Sequence, residues 1–587
     1  MDLGIFDPLI EAAKPFMESI SNVIGKYPLF GTFYTSVARW VFVVLAIYIL
    51  VRAIRSLLAT KNLSEIWAYL SLPDGSSKPL MHWENVLGRG KGSDVDIDFM
   101  TVSRNHGTLV RDPRGNWKYN DLGSKGGSRI NGNTVVKSTL LMPGDTLSLG
   151  GADCVFVPAS LQEKRENQAI RKRKTKTFKP WSSLIALTIF QVLLVIQLII
   201  SRGAELPITV IVAFMLMTIT MWVYSIGIRG AGRTAFEMES IAFFLSTLGL
   251  AVTATSAPEE ILKQYLTVVI GITLFLILCW YLRDLNRAMQ TRKLLVILSV
   301  ILLLVNIFFG TTKYGSTNWV RFGGFSFQPS ELVKIAFIFV GAATLDELFE
   351  KKNLGLFMFF SAFCLGCLAL MGDFGTAAIY FVTFLVISFM RSGEFSKLFL
   401  IIGAAGLGGL LVLRFKPYIL GRFNTWLHAW DYADAGGYQQ TRTMSAGASG
   451  GLVGVGAGDG WLHNVAAADT DLVFGILSEE WGLIIAVLAV LSIVTLGIFA
   501  VRSIQAGRSA YYTIGACAAT TLLIFQTILN VFGSVDILPL TGVTFPFVSN
   551  GGTSMIVSWG LLAFLKAADT RQNASIAVKN DKGGDLE

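Results

Sequence analysis

Four carboxylates lie close together at the edge of an apolar segment, in the stretch AADTDLVFGILSEEWG. They are Asp469, Asp471, Glu479 and Glu480. A charged group beside a membrane span is costly to keep, so each one needs a chemical or structural reason. A carboxylate in such surroundings has a raised pKa and can act as a general base. The same side chains could instead cap a helix, pair with basic residues or coordinate a cation.

Other chemistry-bearing residues fall in three polar, glycine-rich loops, at 310–334, 415–481 and 530–555. Loops with charges and helix breakers at membrane depth persist where they line a cavity or are buried in protein. The sequence therefore predicts that the three loops fold together over one site. Glu331 and Lys334, spaced i, i+3, can pair on one helix face. That pair either is a plain ion pair or lines the cavity.

The elements that must position these loops are membrane helices. Of the 587 residues, 53% are hydrophobic and 15% are charged. The first apolar run starts too far from the N-terminus for a cleaved signal peptide, so we expect it to be an anchor. About thirteen runs are long enough to cross a bilayer: 36–57, 182–201, 206–228, 238–256, 264–282, 293–311, 331–347, 355–371, 375–391, 396–414, 482–501, 511–531 and 551–566.

The charges of the connecting loops alternate. Lys and Arg cluster in every second loop, and loop 532–550 contains neither. This positive-inside pattern predicts an extracytoplasmic N-terminal segment at 1–35, a cytoplasmic location for residues 60–180 and a cytoplasmic tail at 571–587. The pattern also accounts for the net charge of +9 without a nucleic-acid partner. Cys364 and Cys367 form a CxxC inside an apolar run, where we expect them to be small packing residues.

Residues 81–158 differ from the rest of the chain, because short alternating apolar stretches are separated there by Gly, Asn and Asp turns. We expect an all-β module, followed by a basic linker at 159–181. Its motifs are Gly88-Arg89, Ser103-Arg104-Asn105-His106 and Asn131-Gly132. They closely resemble a forkhead-associated (FHA) domain, which implies a cytoplasmic β-sandwich that binds phosphothreonine peptides.

A phosphate is held best by a guanidinium together with hydroxyl and amide donors. The resemblance implies that Arg89, Ser103, Arg104 and Asn131 bind the phosphopeptide, and that His106 is a buried support. Gly126 stands where the family usually has an Asn that contacts the peptide. The implied partners are a phosphothreonine protein and its Ser/Thr kinase. A scaffold role without phosphate binding is the alternative.

A second set of motifs occupies residues 238–570: Trp319-Val320-Arg321, Gln328-Pro329-Ser330-Glu331-Leu332-Val333-Lys334, Asp373-Phe374-Gly375-Thr376, Tyr438-Gln439, Gly450-Gly451, Thr470-Asp471, Glu479-Glu480-Trp481-Gly482 and Pro539-Leu540-Thr541-Gly542. They resemble the SEDS family (shape, elongation, division and sporulation), which includes FtsW, RodA and SpoVE. The implied fold is a mainly α membrane protein with a ten-helix bundle, here preceded by two extra spans at 182–228. The implied activity is peptidoglycan glycosyltransfer, in which lipid II is polymerised into β-1,4 glycan at the outer face of the bacterial cytoplasmic membrane.

Several residues depart from the family pattern. Asp469 stands where the family often has His, and Asn318 where a basic residue commonly precedes the Trp. Met371-Gly372 replaces Gln-Pro before Asp373, and Asn550 and Thr553 replace Tyr and Ser near the last motif. The key acid is retained, so these changes bear on tuning of the site and not on its class.

The resemblance implies that Asp471 is the general base for the acceptor sugar hydroxyl; the local sequence alone also allows a helix N-cap. Because the donor linkage is α and the product β, a single inverting displacement suffices. If residues 471–480 are helical, Glu479 projects from the same face as Asp471. Asp373 is a further N-cap candidate. The expected substrate-binding residues are Trp319, Arg321, Glu331, Lys334, Asp373, Arg422, Tyr438, Gln439, Arg442, Glu479, Glu480 and Ser549.

The sequence requires no cofactor, and a divalent cation, Mg²⁺ or Mn²⁺, at the leaving pyrophosphate is an open expectation. The family implies lipid II, the growing glycan-pyrophosphate-undecaprenol and a class B penicillin-binding protein transpeptidase as partners. Two other classes of function remain: a flippase for lipid-linked precursors and a non-catalytic division scaffold. A flippase would need a charged path through the bilayer, and the sequence contains no such run of midplane charges.

Overall fold

The computed structural model describes residues 6–59, 64–90, 93–112, 115–136, 138–174, 178–313, 316–322, 325–343, 351–393, 395–415, 417–571 and 573–577. The helices outside the last third of the chain are α1 (Asp7–Lys26), α2 (Pro28–Ala59), α3 (Leu161–Lys174), α4 (Trp181–Arg202), α5 (Ile208–Gly230), α6 (Glu237–Ser256), α7 (Ile261–Leu282), α8 (Leu285–Gln290), α9 (Arg292–Phe309), α10 (Pro329–Ala343), α11 (Lys351–Met371) and α12 (Phe374–Ser392). They are followed by α13 (Phe395–Phe415), α14 (Pro417–Thr425), α15 (Tyr438–Gly450), α16 (Ala468–Asp471), α17 (Val473–Ile476), α18 (Leu483–Ser503), α19 (Ala510–Ser534) and α20 (Thr553–Ala568).

Every predicted apolar run corresponds to a helix in this set. Among the described residues, nine helices are long and apolar enough to cross a membrane, and three shorter apolar helices accompany them. The run 331–347 extends past the end of α10 into residues that are not described. Helix α2 begins earlier than the predicted anchor. The amphipathic α1 lies within the N-terminal segment predicted at 1–35 and packs against α2, α4 and α5.

The ten-helix bundle consists of α6, α7, α9 to α13 and α18 to α20, and α6 is buried over nearly its whole length. Helices α7 and α20 pack closely because Gly271 leaves room for Trp559: a Cβ on Gly271 would lie 3.0 Å from the Trp559 Cβ. Helices α2 and α4 of the N-terminal region pack against α6 as well.

The β-module contains strands β1 (Ala68–Ser71), β2 (Ser77–Leu80), β3 (Glu84–Gly88), β4 (Val95–Asp96), β5 (Gly107–Arg111), β6 (Trp117–Asp121), β7 (Ser128–Ile130), β8 (Asn133–Thr134), β9 (Thr139–Leu141), β10 (Thr146–Leu149) and β11 (Ala152–Pro158). One sheet has the order β2-β1-β11-β10-β7-β8 and the other β4-β3-β5-β6-β9. The sandwich begins before residue 81, because β1 pairs with the last strand, β11. Alternating residues such as Leu87, Tyr119, Leu147 and Phe156 fill the core between the sheets.

A third sheet covers one end of the bundle. It consists of β12 (Thr311–Lys313), β13 (Ser316–Phe322) and β14 (Phe325–Phe327), which pair in that order. The sheet lies between α9 and α10, within the first of the three polar loops. The sequence interpretation recognised this stretch as a loop without its strands.

The end of the chain folds back on α6 through buried charges. Lys566 Nζ lies 2.7 Å from Glu239 Oε2, and the Arg571 guanidinium contacts Glu237 at 2.7 Å and Asp569 at 2.6 Å. All five side chains are buried. The predicted tail at 571–587 therefore starts inside the bundle, and its residues after 577 are not described.

Removing Arg571 should leave two carboxylates buried without their counter-ion, and breaking such a pair on one side costs about 3–5 kcal/mol. We expect Arg571→Ala to lower the apparent melting temperature of the detergent-solubilised protein strongly. The matched control is Lys263→Ala, which removes an exposed cation whose partner, Glu260, is also exposed. Equal melting temperatures for the two variants would contradict a structural role for this cluster.

Candidate active site

Asp471 lies at the last residue of the short helix α16, whose N-cap is Ala467 in a left-handed conformation (φ 60°). The Asp471 backbone N–H donates to Ala467 O at 2.8 Å. The chain then breaks at Leu472 before α17 and continues through a π-helical turn at Leu477–Trp481 into α18. The N-cap alternative for Asp471 is therefore wrong, because its side chain stands at the end of a helix and not at the start.

Three consecutive carbonyl oxygens of α16 accept hydrogen bonds from other parts of the bundle. Asn550 N–H donates to Asp469 O at 2.9 Å, Ser549 Oγ to Thr470 O at 2.7 Å, and Asn530 Nδ2 to Asp471 O at 3.0 Å. We call these bonds the carbonyl ladder. Since helix C-terminal carbonyls lack intrahelical partners, the ladder satisfies groups that would otherwise be left unbonded. It fixes the backbone that carries the Asp471 carboxylate.

The side chains of two departures from the family pattern bind each other. Asn550 Nδ2 donates to Asp469 Oδ2 at 2.9 Å, in addition to the backbone contact between the same residues. The Asp469 carboxylate thus accepts from the Asn550 side-chain amide. The role of Asp469, which the sequence left open, is to join α16 to the loop before α20.

The Asp471 carboxylate is half-buried and lies against the Pro539–Gly542 turn. A Cβ on Gly542 (φ 69°) would lie 3.2 Å from Asp471 Oδ2, so the turn passes closely over the acid. Burial raises the pKa of Asp471 to about 6; the negative charge of Asp469 acts in the same direction, while a hydrogen bond from Thr470 and the positive charge of Arg422 oppose the rise. A carboxyl with such a pKa accepts a proton readily near neutral pH.

Arg422 is exposed and belongs to a segment held against the same turn. Its Nη1 donates to Leu540 O at 3.0 Å, and Trp426 Nε1 donates to Ile537 O at 2.9 Å. The Asp536 carboxylate accepts from the backbone N–H groups of Leu427 and Ala429, each at 3.1 Å. These contacts bring a cation into the neighbourhood of Asp471 from the second polar loop.

Glu331 and Lys334 form the predicted pair, with Lys334 Nζ 2.5 Å from Glu331 Oε1, and both are buried. Lys334 also donates to Gln526 Oε1 at 3.0 Å, and Gln526 Nε2 donates to Thr544 O at 2.9 Å. The pair thus supports the loop that precedes Ser549. The sequence analysis missed both Gln526, which makes these contacts, and Asn530, which binds Asp471 O. Their spacing i, i+4 within the apolar run 511–531 was the signal that could have found them.

Asp373 was predicted to be either a helix N-cap or a substrate-binding residue, and the structure shows it as the N-cap of α12. Its Oδ1 accepts from Thr376 N–H at 3.0 Å, and its Oδ2 accepts from Asn318 Nδ2 at 2.6 Å. Asn318, a departure from the family pattern, therefore ties β13 to α12. Trp319 and Arg321 alternate with the buried Asn318 and Val320 along β13, so they share its less buried face.

Tyr438 and Arg442 lie one turn apart on α15, and the Arg442 guanidinium stands 4.9 Å from the centre of the Tyr438 ring. Gln439 faces elsewhere and donates through Nε2 to Ala466 O at 2.8 Å. Ser549 is buried, and its hydroxyl accepts from Phe545 N–H at 2.7 Å while it donates to Thr470. Of these four predicted substrate-binding residues, Tyr438 and Arg442 are accessible, whereas Gln439 and Ser549 are engaged in holding the backbone near α16.

Glu479 does not share a face with Asp471, because residues 471–480 are not one continuous helix. Its two oxygens accept from Trp461 N–H at 2.9 Å and Leu462 N–H at 3.0 Å, so it caps the 3-10 turn at Leu462–Asn464. Glu480 is buried, and its Oε2 has no hydrogen-bond partner among the described residues. It faces a small cavity that is also lined by Arg39 of α2 and Gln197 of α4.

In the β-module, the predicted phosphopeptide residues occupy adjacent loops. Arg89 and Arg104 are exposed, Arg89 N–H donates to Ser103 O at 3.0 Å, and Ser103 Oγ accepts from Lys125 N–H at 3.0 Å. Asn131 lies beyond this group and binds Asp145 through Nδ2 at 2.7 Å.

His106 is buried, as expected, and links two of these loops. Its Nδ1 accepts from Ser103 N–H at 3.1 Å, and its Nε2 donates to Gly127 O at 3.1 Å. Gly126 has no space for the Asn that the family usually has, because a Cβ there would lie 2.7 Å from Gly150 Cα and 3.0 Å from Thr101 O. This departure is therefore built into the packing of the loops.

In the described part of the chain, no three His, Cys, Asp or Glu side chains converge as a metal site would require. Cys364 and Cys367 are buried in α11 among apolar side chains. A divalent cation at the pyrophosphate therefore stays a prediction.

The fold and the site together define a polytopic membrane protein with an acid held in polar loops at one end of a ten-helix bundle, and a separate β-sandwich. Residues 235–574 match the model of the cell cycle proteins FtsW, RodA and SpoVE, and residues 85–150 match that of the FHA domain. The chain belongs to the FtsW/RodA/SpoVE family and carries an FHA domain.

The chain is similar to two curated relatives and to one solved structure. The chain is 30% identical to stage V sporulation protein E of Bacillus subtilis, over 46% of this chain and 77% of the relative. It is 29% identical to a probable peptidoglycan glycosyltransferase FtsW of Buchnera aphidicola, over 48% of this chain and 73% of the relative. A chain of a peptidoglycan synthase complex that coordinates polymerization and crosslinking is 24% identical, with a TM-score of 0.47 over 57% of this chain and 98% of that chain.

Replacing Asp469 by Asn removes a negative charge near Asp471 and keeps an oxygen that can accept from Asn550. We expect the pKa of Asp471 to fall below its value of about 6, because the repulsion that disfavours its ionised form is gone. The measurement is the pH dependence of Asp471 labelling by a carbodiimide, which reacts with protonated carboxyls, followed by mass spectrometry. Asn550→Ala, which keeps the charge and removes the side-chain donor, is the matched variant; a larger fall in pKa for Asn550→Ala than for Asp469→Asn would contradict the electrostatic explanation.

Proposed function

We propose that this protein is a peptidoglycan glycosyltransferase that polymerises lipid II into β-1,4 glycan strands at the outer face of the bacterial cytoplasmic membrane. The observation that carries the proposal is the setting of the Asp471 carboxylate. The carbonyl ladder holds its backbone in place, burial raises its pKa, and the positive charge of Arg422 lies nearby. Family membership supports the same reaction class, since relatives of this chain are named as peptidoglycan glycosyltransferases.

The reaction needs one proton acceptor and stabilisation of one leaving group. The 4-hydroxyl oxygen of the acceptor sugar attacks the anomeric carbon of the donor, the bond from that carbon to the pyrophosphate oxygen breaks, and the hydroxyl proton passes to Asp471. Undecaprenyl pyrophosphate leaves with the electron pair of the broken bond, and its charge is offset by nearby cations. The configuration inverts in a single displacement, without a covalent enzyme intermediate.

The geometry divides the predicted residues into two groups. Trp319, Arg321, Arg422, Tyr438 and Arg442 have accessible side chains and serve to bind the sugars and the pyrophosphate. The other predicted residues act through the backbone or through other side chains, as positioning residues: Glu331, Lys334, Asp373, Gln439, Glu479, Glu480 and Ser549. A divalent cation on the pyrophosphate, Mg²⁺ or Mn²⁺, is compatible with this arrangement.

The proposal also includes the orientation of the chain in the membrane and a transpeptidase partner. The alternation of loop charges supports an N-terminus outside and an FHA domain and C-terminus inside, which puts Asp471 on the outer side. A class B penicillin-binding protein transpeptidase is the partner that would crosslink the product. The flippase alternative is not favoured by the Glu331–Lys334 pair, since its charges are buried and matched and do not form an open charged path.

The FHA domain supplies regulation through phosphothreonine on a partner protein, placed there by a Ser/Thr kinase. Exposed Arg89 and Arg104, together with the Ser103 hydroxyl, form the group of donors that a phosphate requires, and the Lys125 backbone N–H holds that hydroxyl by donating to its oxygen. The side chain of Asn131, the fourth residue implied to bind the peptide, instead donates to Asp145.

Asp471→Asn should reduce polymerisation of labelled lipid II by the purified protein about 100-fold or more, because the general base is lost. For the wild type, the rate should rise with pH about a midpoint near 6, since Asp471 accepts the proton only when it is ionised. The measurement is gel separation of glycan products across pH 5–8, with and without EDTA followed by Mg²⁺ or Mn²⁺.

The control is Asp431→Asn, an exposed acid in the same polar loop but outside the carbonyl ladder. Full activity of Asp471→Asn would exclude the base assignment. Inactive wild-type protein, assayed with and without the transpeptidase, would favour the flippase or scaffold readings.

Arg89→Ala should abolish capture of a phosphothreonine peptide by the full-length protein, because the exposed guanidinium that pairs with phosphate is lost. Lys78→Ala, at an exposed position on β2 away from these loops, is the matched control. Binding is read by fluorescence anisotropy against a library of phosphothreonine peptides, with unphosphorylated peptides alongside. Unchanged binding by Arg89→Ala would reject the site, and equal binding of unphosphorylated peptides would favour a phosphate-independent scaffold.

A further inference from the structure

The FHA domain contacts the membrane bundle at the turn between α18 and α19. Trp83 N–H donates to Arg508 O at 2.6 Å, and His82 Nδ1 donates to Gly507 O at 2.7 Å. The Glu84 carboxylate accepts from Ser509 Oγ at 2.7 Å and from Ala510 N–H at 3.0 Å. Four hydrogen bonds thus join three consecutive residues of the FHA domain to four consecutive residues of the bundle.

The carboxylate of Glu84 matches the free N–H groups at the start of α19. Ala510 is the first residue of α19, where backbone N–H groups lack intrahelical acceptors and the helix dipole favours a negative charge. Ser509 is the N-cap and accepts from Tyr511 N–H at 3.2 Å while its hydroxyl donates to Glu84. Glu84 therefore completes the capping of a 25-residue helix from another domain.

The FHA side of the contact is held by interactions within the domain. Asn85 Nδ2 donates to His82 O at 2.6 Å, which closes the turn that presents these residues. The Arg111 guanidinium lies 5.8 Å from the centre of the Trp83 ring and 4.2 Å from that of Trp67. A preorganised surface of this kind loses little conformational entropy when it binds.

Strand β3 connects this contact to the predicted phosphothreonine site. Glu84 is its first residue, and Arg89 follows its last residue, Gly88. A five-residue strand spans about 16 Å, so the two surfaces lie at opposite ends of one strand and can be occupied together.

Helix α19 extends from the contact to the candidate active site. Its 25 residues rise about 37 Å, enough to cross the hydrocarbon core. Near its other end, Gln526 binds Thr544 O, and Asn530 binds Val543 O at 2.8 Å and Asp471 O at 3.0 Å. The helix that Glu84 caps is therefore the one that supplies a rung of the carbonyl ladder.

We propose that His82, Trp83 and Glu84 form a second, phosphate-independent binding surface of the FHA domain, whose ligand is the start of α19 in the same chain, and that this docking sets the position of α19 and so of Asp471. The docking does not depend on the proposed reaction, whereas its effect on Asp471 rests on the proposed function. A partner that draws the phosphothreonine site of the FHA domain away from the membrane would pull on the cap of α19.

The first experiment measures hydrogen exchange of the full-length protein in lipid nanodiscs. Glu84→Ala removes both acceptors, and we expect the amides at 510–513 to exchange about tenfold faster, in line with loss of a helix cap worth about 1 kcal/mol or more. Asp98→Ala, which removes an exposed acid elsewhere on the FHA domain, should leave these amides unchanged. Unchanged exchange of strands β5 and β6 shows that the FHA domain of Glu84→Ala is folded.

The second experiment compares lipid II polymerisation by the same variants. We expect Glu84→Ala to change kcat severalfold and leave KM unchanged, because it displaces the acid and none of the accessible substrate-binding residues. Equal exchange at 510–513 in wild type and Glu84→Ala would overturn the docking. Faster exchange with an unchanged kcat would overturn the effect on Asp471, and an inactive wild type would overturn that effect together with the proposed function, while the exchange data would still decide the docking.

Discussion

The carbonyl ladder is the constraint on which the candidate site depends. A four-residue helix such as α16 is not stable by itself, because it has too few internal hydrogen bonds to offset the ordering of its backbone. Its last three carbonyls are instead bound by Asn530, Ser549 and Asn550. Two of these donors lie in the loop before α20 and one lies in α19, so the position of Asp471 is set by residues distant from it in sequence. Polar side chains that look like substrate ligands in the sequence are used here to hold a backbone.

Buried charged groups on the same side of the bundle as Asp471 likewise serve to hold the polar loops in place. The Glu331–Lys334 pair contacts Gln526, which binds the loop at Thr544, and Asp373 joins β13 to α12. Each of these three charged groups has a hydrogen-bonding partner, so the cost of its burial is offset within the network. Contacts from α10, α12 and α19 therefore support the polar loops. The accessible cations, which include Arg422 and Arg442, belong to these supported loops. Preorganised charges of this kind stabilise a developing negative charge without reorganising during the reaction.

Much of this architecture could be predicted from the sequence, and the failures have a common cause. Apolar length indicated the helices, alternation indicated the β-sandwich, and the i, i+3 spacing of Glu331 and Lys334 indicated their pair. The condition under which Glu479 would share a face with Asp471, one continuous helix over residues 471–480, is not met, and no local signal marks the break at Leu472 or the π-helical turn that follows. Likewise, the two departures Asp469 and Asn550 looked independent, and only the fold shows that they are bound to each other. Tertiary hydrogen bonds decide these features, and residue spacing does not encode them.

Two additions to the ten-helix bundle contact opposite ends of the same hairpin. At the end near the acids, Arg39 of α2 and Gln197 of α4 line the same small cavity as Glu480, which lies shortly before the start of α18. At the other end, where α18 turns into α19, Glu84 of the FHA domain caps α19. Helix α19 then returns to the acid-bearing side, where Asn530 binds Asp471 O. Because α18 and α19 are packed along their lengths, the hairpin moves most readily as a unit. Contacts at both of its ends restrict this hairpin more than either contact alone, and under the proposed docking that restriction extends through α19 to the segment that carries Asp471.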